Sequence, residues 1–384
     1  MIYINNNIFG GLDESKALIF VVDTSKIESG SSTNVQYKIP LQLKTGLYDV
    51  DCKYIIKWGD TTQSTITSSV DANLLHTYPF AGEYTIKIYP LSGASRISFF
   101  VNNLANRDRL KIREINQVGF AEIDSLYGCA NMRAFTATDF STYWNTKTDM
   151  SYMFAGWNTF NATLPSGFGN FPNATNMTGV FQGWWVYNTT LPAGFGSFAN
   201  ATNLYYTYFD WRVFNKALPA GFGVYPNATN LYYTYCEWFA FNQTLPAGFG
   251  NFPLATDVSN AFSYWSAFNQ SITLTTSASL TNIAQAFNLS IFKNITISNC
   301  TNVSTINIYT FNVVPLETLI VNNLKISFTI QYSTFTKTAY LDLIASLKDM
   351  TALTSPTMTV KNVPAFDTDC DNAAAAKNWT VVKI

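Results

Sequence analysis

Asn203-Leu-Tyr-Tyr-Thr-Tyr-Phe-Asp-Trp-Arg-Val-Phe-Asn-Lys-Ala-Leu-Pro-Ala-Gly-Phe-Gly-Val-Tyr-Pro-Asn-Ala-Thr229 runs directly into Asn230-Leu-Tyr-Tyr-Thr-Tyr-Cys-Glu-Trp-Phe-Ala-Phe-Asn-Gln-Thr-Leu-Pro-Ala-Gly-Phe-Gly-Asn-Phe-Pro-Leu-Ala-Thr256. Most residues return 27 positions on. The step holds outside this pair: Trp157, Trp184, Trp211, Trp238 and Trp265 share it, as do the Leu-Pro pairs beginning at Leu164, Leu191, Leu218 and Leu245. A fixed period of this size marks a solenoid, in which one supersecondary unit stacks on its own copy.

Reading down the columns assigns each a physical task. Phe154, Phe181, Tyr208, Tyr235 and Phe262 form one aromatic column, and Phe160, Tyr187, Phe214, Phe241 and Phe268 another. Stacked rings and leucines fill an interior from rung to rung. Asn161, Asn188, Asn215, Asn242 and Asn269 are expected to be buried, with their amides hydrogen-bonded to neighbouring turns. The Gly-Phe-Gly triplets from Gly167, Gly194, Gly221 and Gly248 suit corners that need positive φ. Thr175, Thr202, Thr229 and Thr256 form a further column. A short strand is expected near Phe160 to Leu164 and its equivalents, with proline closing it. A capped helical turn is expected over Met177 to Gly183. Downstream, Ile272, Ile295 and Ile320 mark rungs shortened to about 23 to 25 residues, without the glycine corner. Tyr340 to Met350 reads as an amphipathic helix. Thr357 to Lys361, Ala373 to Lys377 and Trp379 to Ile384 read as a terminal cap.

The first hundred or so residues have another grain. Ala17 to Val22, Val35 to Pro40, Lys53 to Trp58 and Glu83 to Tyr89 are short β-branched or aromatic runs between turn residues, as in a sandwich. Tyr54-Ile-Ile-Lys-Trp-Gly-Asp60 followed by His76-Thr-Tyr-Pro-Phe-Ala-Gly-Glu-Tyr-Thr-Ile-Lys-Ile88 resembles the PKD-like immunoglobulin-type module. That resemblance implies a spacer or adhesion unit. Further on, Asp149-Met-Ser-Tyr-Met-Phe154, Phe241-Asn-Gln243, Phe268-Asn-Gln270 and Leu126-Tyr-Gly-Cys129 resemble the BspA-type leucine-rich-repeat surface proteins. The chain departs from that family by writing Gly-Phe-Gly-Asn-Phe-Pro-Asn-Ala-Thr-Asn176 and by lacking the standard L-x-x-L-x-L rung. The resemblance implies adhesion, through protein or glycan contact. The expected fold is therefore mainly β: a PKD-like β-sandwich over residues 1–102, then a leucine-rich-repeat-like solenoid over 103–384. About eleven rungs of 23–27 residues are expected, with a C-terminal cap.

Composition narrows the chemistry. A formal net charge of -1 offers no basic field for nucleic acid. Only 12% of residues are charged and 16% are aromatic, yet no apolar run of membrane-spanning length occurs. The exterior is Asn, Thr and Ser. The five cysteines, Cys52, Cys129, Cys236, Cys300 and Cys370, are scattered and form no C-x-x-C pair. Met1 to Asn7 has no export-signal pattern, so synthesis in the cytosol without the usual export route is the expectation.

His76 is the only histidine and lies in the sandwich motif, so a structural role is expected of it. Asp210 and Glu237 are the only acids between residues 151 and 256, in one column and beside Trp211 and Trp238. Adjacent rungs would bring them near the carboxyl separation of a retaining glycosidase. The column Gly156, Gly183, Asp210, Glu237, Tyr264 varies as an exposed position would, however, and Arg212 is close enough to pair. Asp367, Asp369 and Asp371 resemble the start of a calcium loop but lack its glycine and terminal glutamate, so a helix cap is the better reading. Tyr205, Tyr206, Tyr232 and Tyr233 cannot all point inward with Tyr208 and Tyr235, and a tyrosine patch suits glycan or protein contact. Ligand-binding candidates are thus these four tyrosines with Asp210 and Glu237; no catalytic residue, metal or cofactor is expected.

The expectation that follows is a non-enzymatic virion surface or structural protein: a phage head or tail fibre or a decoration protein, made in the host cytoplasm. It would mediate assembly or host attachment. Its partners would be other virion proteins, its own copies, and a host-surface protein or glycan, without nucleic-acid binding or membrane insertion. The alternatives are a bacterial cell-surface adhesin and a glycan-cleaving solenoid enzyme.

Overall fold

Alternation along Leu18–Asp23 starts the N-terminal sheet: Leu18, Phe20 and Val22 are buried and Ile19 and Val21 half-buried, so strand β1 has one core face. The computed structural model describes residues 12–42, 53–68, 70–91, 98–100, 108–313, 315–361 and 365–384. The expected boundary at residue 102, the stretch Met1 to Asn7 and Cys52 lie outside the described residues. The chain is mainly β, with a β-solenoid of about 12 turns from about residue 114 to 383 preceded by a sheet region. That is one turn more than the rung count expected. Two compact units divide it: Met1–Tyr143 with Gly156–Pro165, and Trp144–Ala155 with Ser166–Ile384.

In the first unit the strands are β1 (Leu18–Asp23), β2 (Gln36–Lys38), β3 (Leu41–Gln42), β4 (Tyr54–Lys57), β5 (Gln63–Ile66), β6 (Leu75–Thr77), β7 (Glu83–Pro90), β8 (Ser98–Phe100), β9 (Ile112–Gln117), β10 (Glu122–Ser125) and β11 (Ala134–Phe135). The four runs expected as strands are β1, β2, β4 and β7, each within a residue or two of its expected limits. The largest sheet has the order β11-β9-β1-β7-β4-β5. β1 pairs antiparallel with both β7 and β9, whereas β9 and β11 are parallel, as rungs are.

Asp108 and Lys111 form a fully buried ion pair at 3.2 Å. Lys111 Nζ also donates to the carbonyls of Ser32, Thr33 and Gln36. Asp108 accepts from Ser32 N, Ser32 Oγ and Lys38 N. Burial holds the Lys111 ammonium below its usual pKa, against the pull of Asp108.

The second unit is held by one recurring turn segment. Leu204, Tyr206, Tyr208 and Asp210 donate their N–H groups to the carbonyls of Asn230, Tyr232, Thr234 and Cys236 on the next rung, at 2.9 to 3.0 Å. Between them, Thr207 and Phe209 donate back within the rung to Leu204 and Tyr206. Leu231, Tyr233, Tyr235 and Glu237 repeat the hand-off to Asp257, Ser259, Ala261 and Ser263. Such alternation is neither helix nor strand, and it needs left-handed backbone twice per rung. Tyr206, Asp210, Tyr233 and Glu237 take φ of 58°, 71°, 57° and 65°, and Gly179 and Gly183 take 57° and 76°. The helical turn expected over Met177 to Gly183 is therefore replaced by consecutive tight turns. The capping residue is as expected: Asn176, Asn203 and Asn230 each accept through Oδ1 from the N–H two residues on. The same residues, with Asp149, Asp257 and Asn282, make a ladder of parallel bridges.

No strand forms at the equivalents of Phe160 to Leu164 before residue 271. Proline follows each Leu and removes the ladder donor. Where the column reaches Ile272 and Thr273 follows, β12 (Ser271–Leu274) forms and pairs in parallel with β13 (Asn294–Ile297), then β14 (Thr318–Val321). β15 (Phe328–Gln331), β16 (Thr357–Lys361) and β17 (Thr380–Lys383) make the last parallel sheet. The one-turn helix α1 is Ser141–Trp144, and α2 and α3 are Lys337–Ser346 and Thr368–Ala376. α2 begins three residues before its expected start, capped by Thr336.

Inside the rungs the aromatic columns stack as expected. Trp184, Trp211, Trp238 and Trp265 lie 5.4 to 5.6 Å apart with interplanar angles of 3 to 8°. Each indole N–H donates to a core carbonyl 30 residues back: Phe154, Phe181, Tyr208 and Tyr235, at 2.7 to 2.8 Å. A further column, Phe171, Phe198, Tyr225 and Phe252, stacks at 6.0 to 6.1 Å. The column expected to be buried is not: Asn188, Asn215 and Asn242 are half-buried, and Asn161 and Asn269 are exposed. Asn188 and Asn215 accept through Oδ1 from the N–H of Asn215 and Asn242, at 2.9 and 3.0 Å. The two corner glycines differ in purpose. A Cβ on Gly223 would meet the Phe249 ring at 2.2 Å, whereas one on Gly221 would approach nothing closer than Ser197 Oγ at 3.8 Å.

Gly221→Ala should therefore cost about 1 kcal/mol, the left-handed backbone penalty alone, and Gly223→Ala about 1–3 kcal/mol more through overpacking. Urea denaturation of both variants checks this, and equal losses would contradict it. Lys111→Met should cost about 3–5 kcal/mol in the same measurement, because it leaves a buried carboxylate without its cation.

Candidate ligand face

The tyrosines expected at the surface lie there as an ordered ladder. Tyr206 and Tyr233 occupy the first left-handed position of successive turn segments. They stack at 4.8 Å and 1°. Tyr205 and Tyr232 stack beside them at 5.3 Å and 23°. Edge contacts at 4.4 and 4.5 Å join the two columns within each rung. All four side chains are half-buried. Burial, together with the neighbouring phenols, raises the Tyr233 hydroxyl to about 12. The ladder is a neutral surface with four hydroxyl groups at its rim.

Asp210 and Glu237 occupy the second left-handed position, and this explains the column that sequence read as variable. Gly156, Gly183, Asp210, Glu237 and Tyr264 all have positive φ, from 64° to 77°. The backbone conformation links them, and solvent exposure does not: Asp210 is only 6% exposed. Asp210 accepts from Arg212 Nε at 2.5 Å and Trp185 Nε1 at 2.5 Å, and the Arg212 guanidinium lies over the Trp185 ring at 4.8 Å. The Glu237 carboxyl lies close enough to Asp210 to feel its charge. Burial, and then the Asp210 charge, raise Glu237 to about 7, with Arg212 pulling the other way. Glu237 is therefore the carboxyl of the pair that keeps its proton toward neutral pH.

The six candidates therefore fall into a tyrosine group and a carboxyl group, and further rings link them. Phe209 packs edge-on to Tyr206 and Tyr233, at 4.9 and 5.9 Å. Tyr264 lies 6.0 Å from Phe239. Sequence reasoning missed Trp185, Phe209 and Phe239, although Trp185 and Phe239 stand 54 positions apart in one 27-residue column, where periodicity could have found them.

The remaining candidates have structural partners. Asp367 caps α3 by accepting from Asp369 N and Cys370 N. Lys337 pairs with Asp367 and Asp369, and Lys383 with Asp371. His76 stacks on Trp58 at 4.6 Å, with Nε2 2.8 Å from Asp60 Oδ2. Cys129, Cys236, Cys300 and Cys370 are buried and unpaired. Among the described residues no helix is long and apolar enough to cross a membrane. No family model matches the chain, and no curated protein or solved structure matches it.

The carboxyl pair sets a pH dependence. The folded protein holds the Glu237 proton up to about pH 7, whereas the unfolded chain releases it near the ordinary value of 4.5. Between those limits the folded state binds more protons, so its stability falls as pH rises and levels off above the folded value. The melting temperature of the native protein, relative to Glu237→Gln, should decline across this window. Parallel curves would show that Glu237 does not keep this proton.

Proposed function

We propose that this chain is a non-enzymatic binding protein of a virion surface, a head or tail fibre or a decoration protein, whose solenoid turns an aromatic face toward a host glycan or protein. We also read the N-terminal sheet as a PKD-like module and the solenoid as a BspA-type leucine-rich-repeat array. The observation that carries the binding reading is the division of the aromatic residues. The regular columns are consumed by packing, while Tyr205, Tyr206, Tyr232 and Tyr233 are stacked with one another at the surface. Holding side chains in ranks before a ligand arrives lowers the entropy lost on binding. A net charge of -1 and an Asn/Thr/Ser exterior suit a protein that works outside the cell without attracting nucleic acid. Asp210, buried and held by Arg212 and Trp185, suits a structural role better than that of a reacting carboxyl.

Antibody raised against the chain should label the outside of purified particles in electron micrographs. Purified chain added to host cells should reduce particle attachment. Label confined to a bacterial envelope, with bare particles, would replace the virion reading with the adhesin one.

A further inference from the structure

Eight of the nine tryptophans are buried: Trp58, Trp144, Trp157, Trp184, Trp211, Trp238 and Trp265 below 2% exposure and Trp379 at 3%. Trp185 is the exception at 39%. It stands at the head of a surface column that continues through Arg212 to Phe239 on the next two rungs, and Phe239 is 36% exposed. The backbone ties the lower two positions together, Ala240 N donating to Arg212 O at 3.2 Å. Beside them Val186 and Val213 are each 42% exposed. With rungs about 4.8 Å apart, the two rings are separated by about 10 Å along the solenoid axis.

We propose that the column Trp185–Arg212–Phe239, backed by the Asp210–Glu237 pair, is a binding site for a neutral oligosaccharide lying along the solenoid axis.

The chemistry of the site selects that class. The exposed parts of the Trp185 indole, whose one face lies under the Arg212 guanidinium, and of the Phe239 ring offer apolar surface at two points along one line to the C–H faces of successive sugar rings. The Trp185 indole is set in advance by its N–H bond to Asp210 and by the guanidinium over its ring, so little side-chain entropy remains to be lost. The charges largely cancel locally. Asp210 is matched by Arg212, and burial together with the Asp210 charge raises Glu237 to about 7, so it is partly protonated at neutral pH. A sialylated or sulfated glycan would find no unmatched cation here, and a cationic peptide no unmatched anion. A neutral polyol finds donors and acceptors side by side. The proposal rests on the binding reading above, adds a second surface to the tyrosine ladder and names one ligand class for it.

The test uses the full chain on an array carrying neutral hexose oligomers beside sialylated and sulfated glycans, followed by calorimetric titration of the best neutral oligomer. Neutral oligomers should bind. Affinity should fall at least about tenfold in Trp185→Ala and in Phe239→Ala, as expected for losing an aromatic anchor. Tyr309→Ala, an exposed ring outside both the column and the tyrosine ladder, should bind normally. Bound oligomer should also shield Trp185 from acrylamide quenching. Circular dichroism and melting curves matching the native protein confirm that the variants are folded; should either ring variant misfold, shielding of the native Trp185 decides alone. Binding unchanged in both ring variants, binding of anionic glycans only, or no glycan binding at all would each overturn the proposal. If the chain captures a host protein but no glycan, this inference falls while the binding reading stands. If neutral glycans bind through Trp185 but antibody finds no chain on particles, the inference stands and the virion assignment falls.

Discussion

The rungs from Met177 to Tyr264 each pass alternate backbone N–H groups to the next rung while keeping the others for their own turns. That constraint decides much of what the repeat looks like. It requires left-handed backbone at two positions in each turn segment, a conformation that costs most residues about 1–2 kcal/mol and glycine nothing. Gly179 and Gly183 meet it in one rung, but Tyr206 with Asp210 and Tyr233 with Glu237 meet it in the next two. Replacing glycine there adds a side chain to the turn: the stacked rings of Tyr206 and Tyr233 at one position and the carboxyls of Asp210 and Glu237 at the other.

The interior obeys the same register. Because successive rungs are offset by one backbone hydrogen-bond spacing, like side chains meet like, and rings stack almost parallel, as with Phe214 on Phe241 at 4°. The indole N–H groups would be buried polar atoms without partners if the core were purely apolar, and each is bonded to a carbonyl of the preceding coil. Thr207 and Thr234 do the same with their hydroxyls, donating to Met177 O and Leu204 O. Packing and polar satisfaction are thus met by the same residues, which is why the tryptophans hold the strictest period.

Much of this was legible in the chain. The period identified the solenoid, the columns predicted which rings stack, and β-branched runs located strands in the N-terminal sheet. What could not be read was backbone conformation. The hydrophobic pattern of Phe160 to Leu164 suits a strand, but Pro165 withholds the donor that a ladder needs. The pattern of Met177 to Gly183 suits a helix, but hydrogen bonds leave the rung at every second residue. For the site, the tyrosines were found because there were too many rings for one core. Asp210 and Glu237 were found as isolated acids, yet their column was taken for an exposed one, since sequence shows residue variation and not φ. Trp185 escaped notice because it sits next to Trp184, whose place in the regular column drew the reading.

The four parallel indoles of Trp184, Trp211, Trp238 and Trp265 have a spectroscopic consequence. Chromophores held at contact distance in one orientation share their excited states, so light absorbed at one end of the column migrates along it before emission. Because the rings lie within 8° of parallel, that transfer turns the polarization of the emitted light very little, unlike transfer between rings set at random angles.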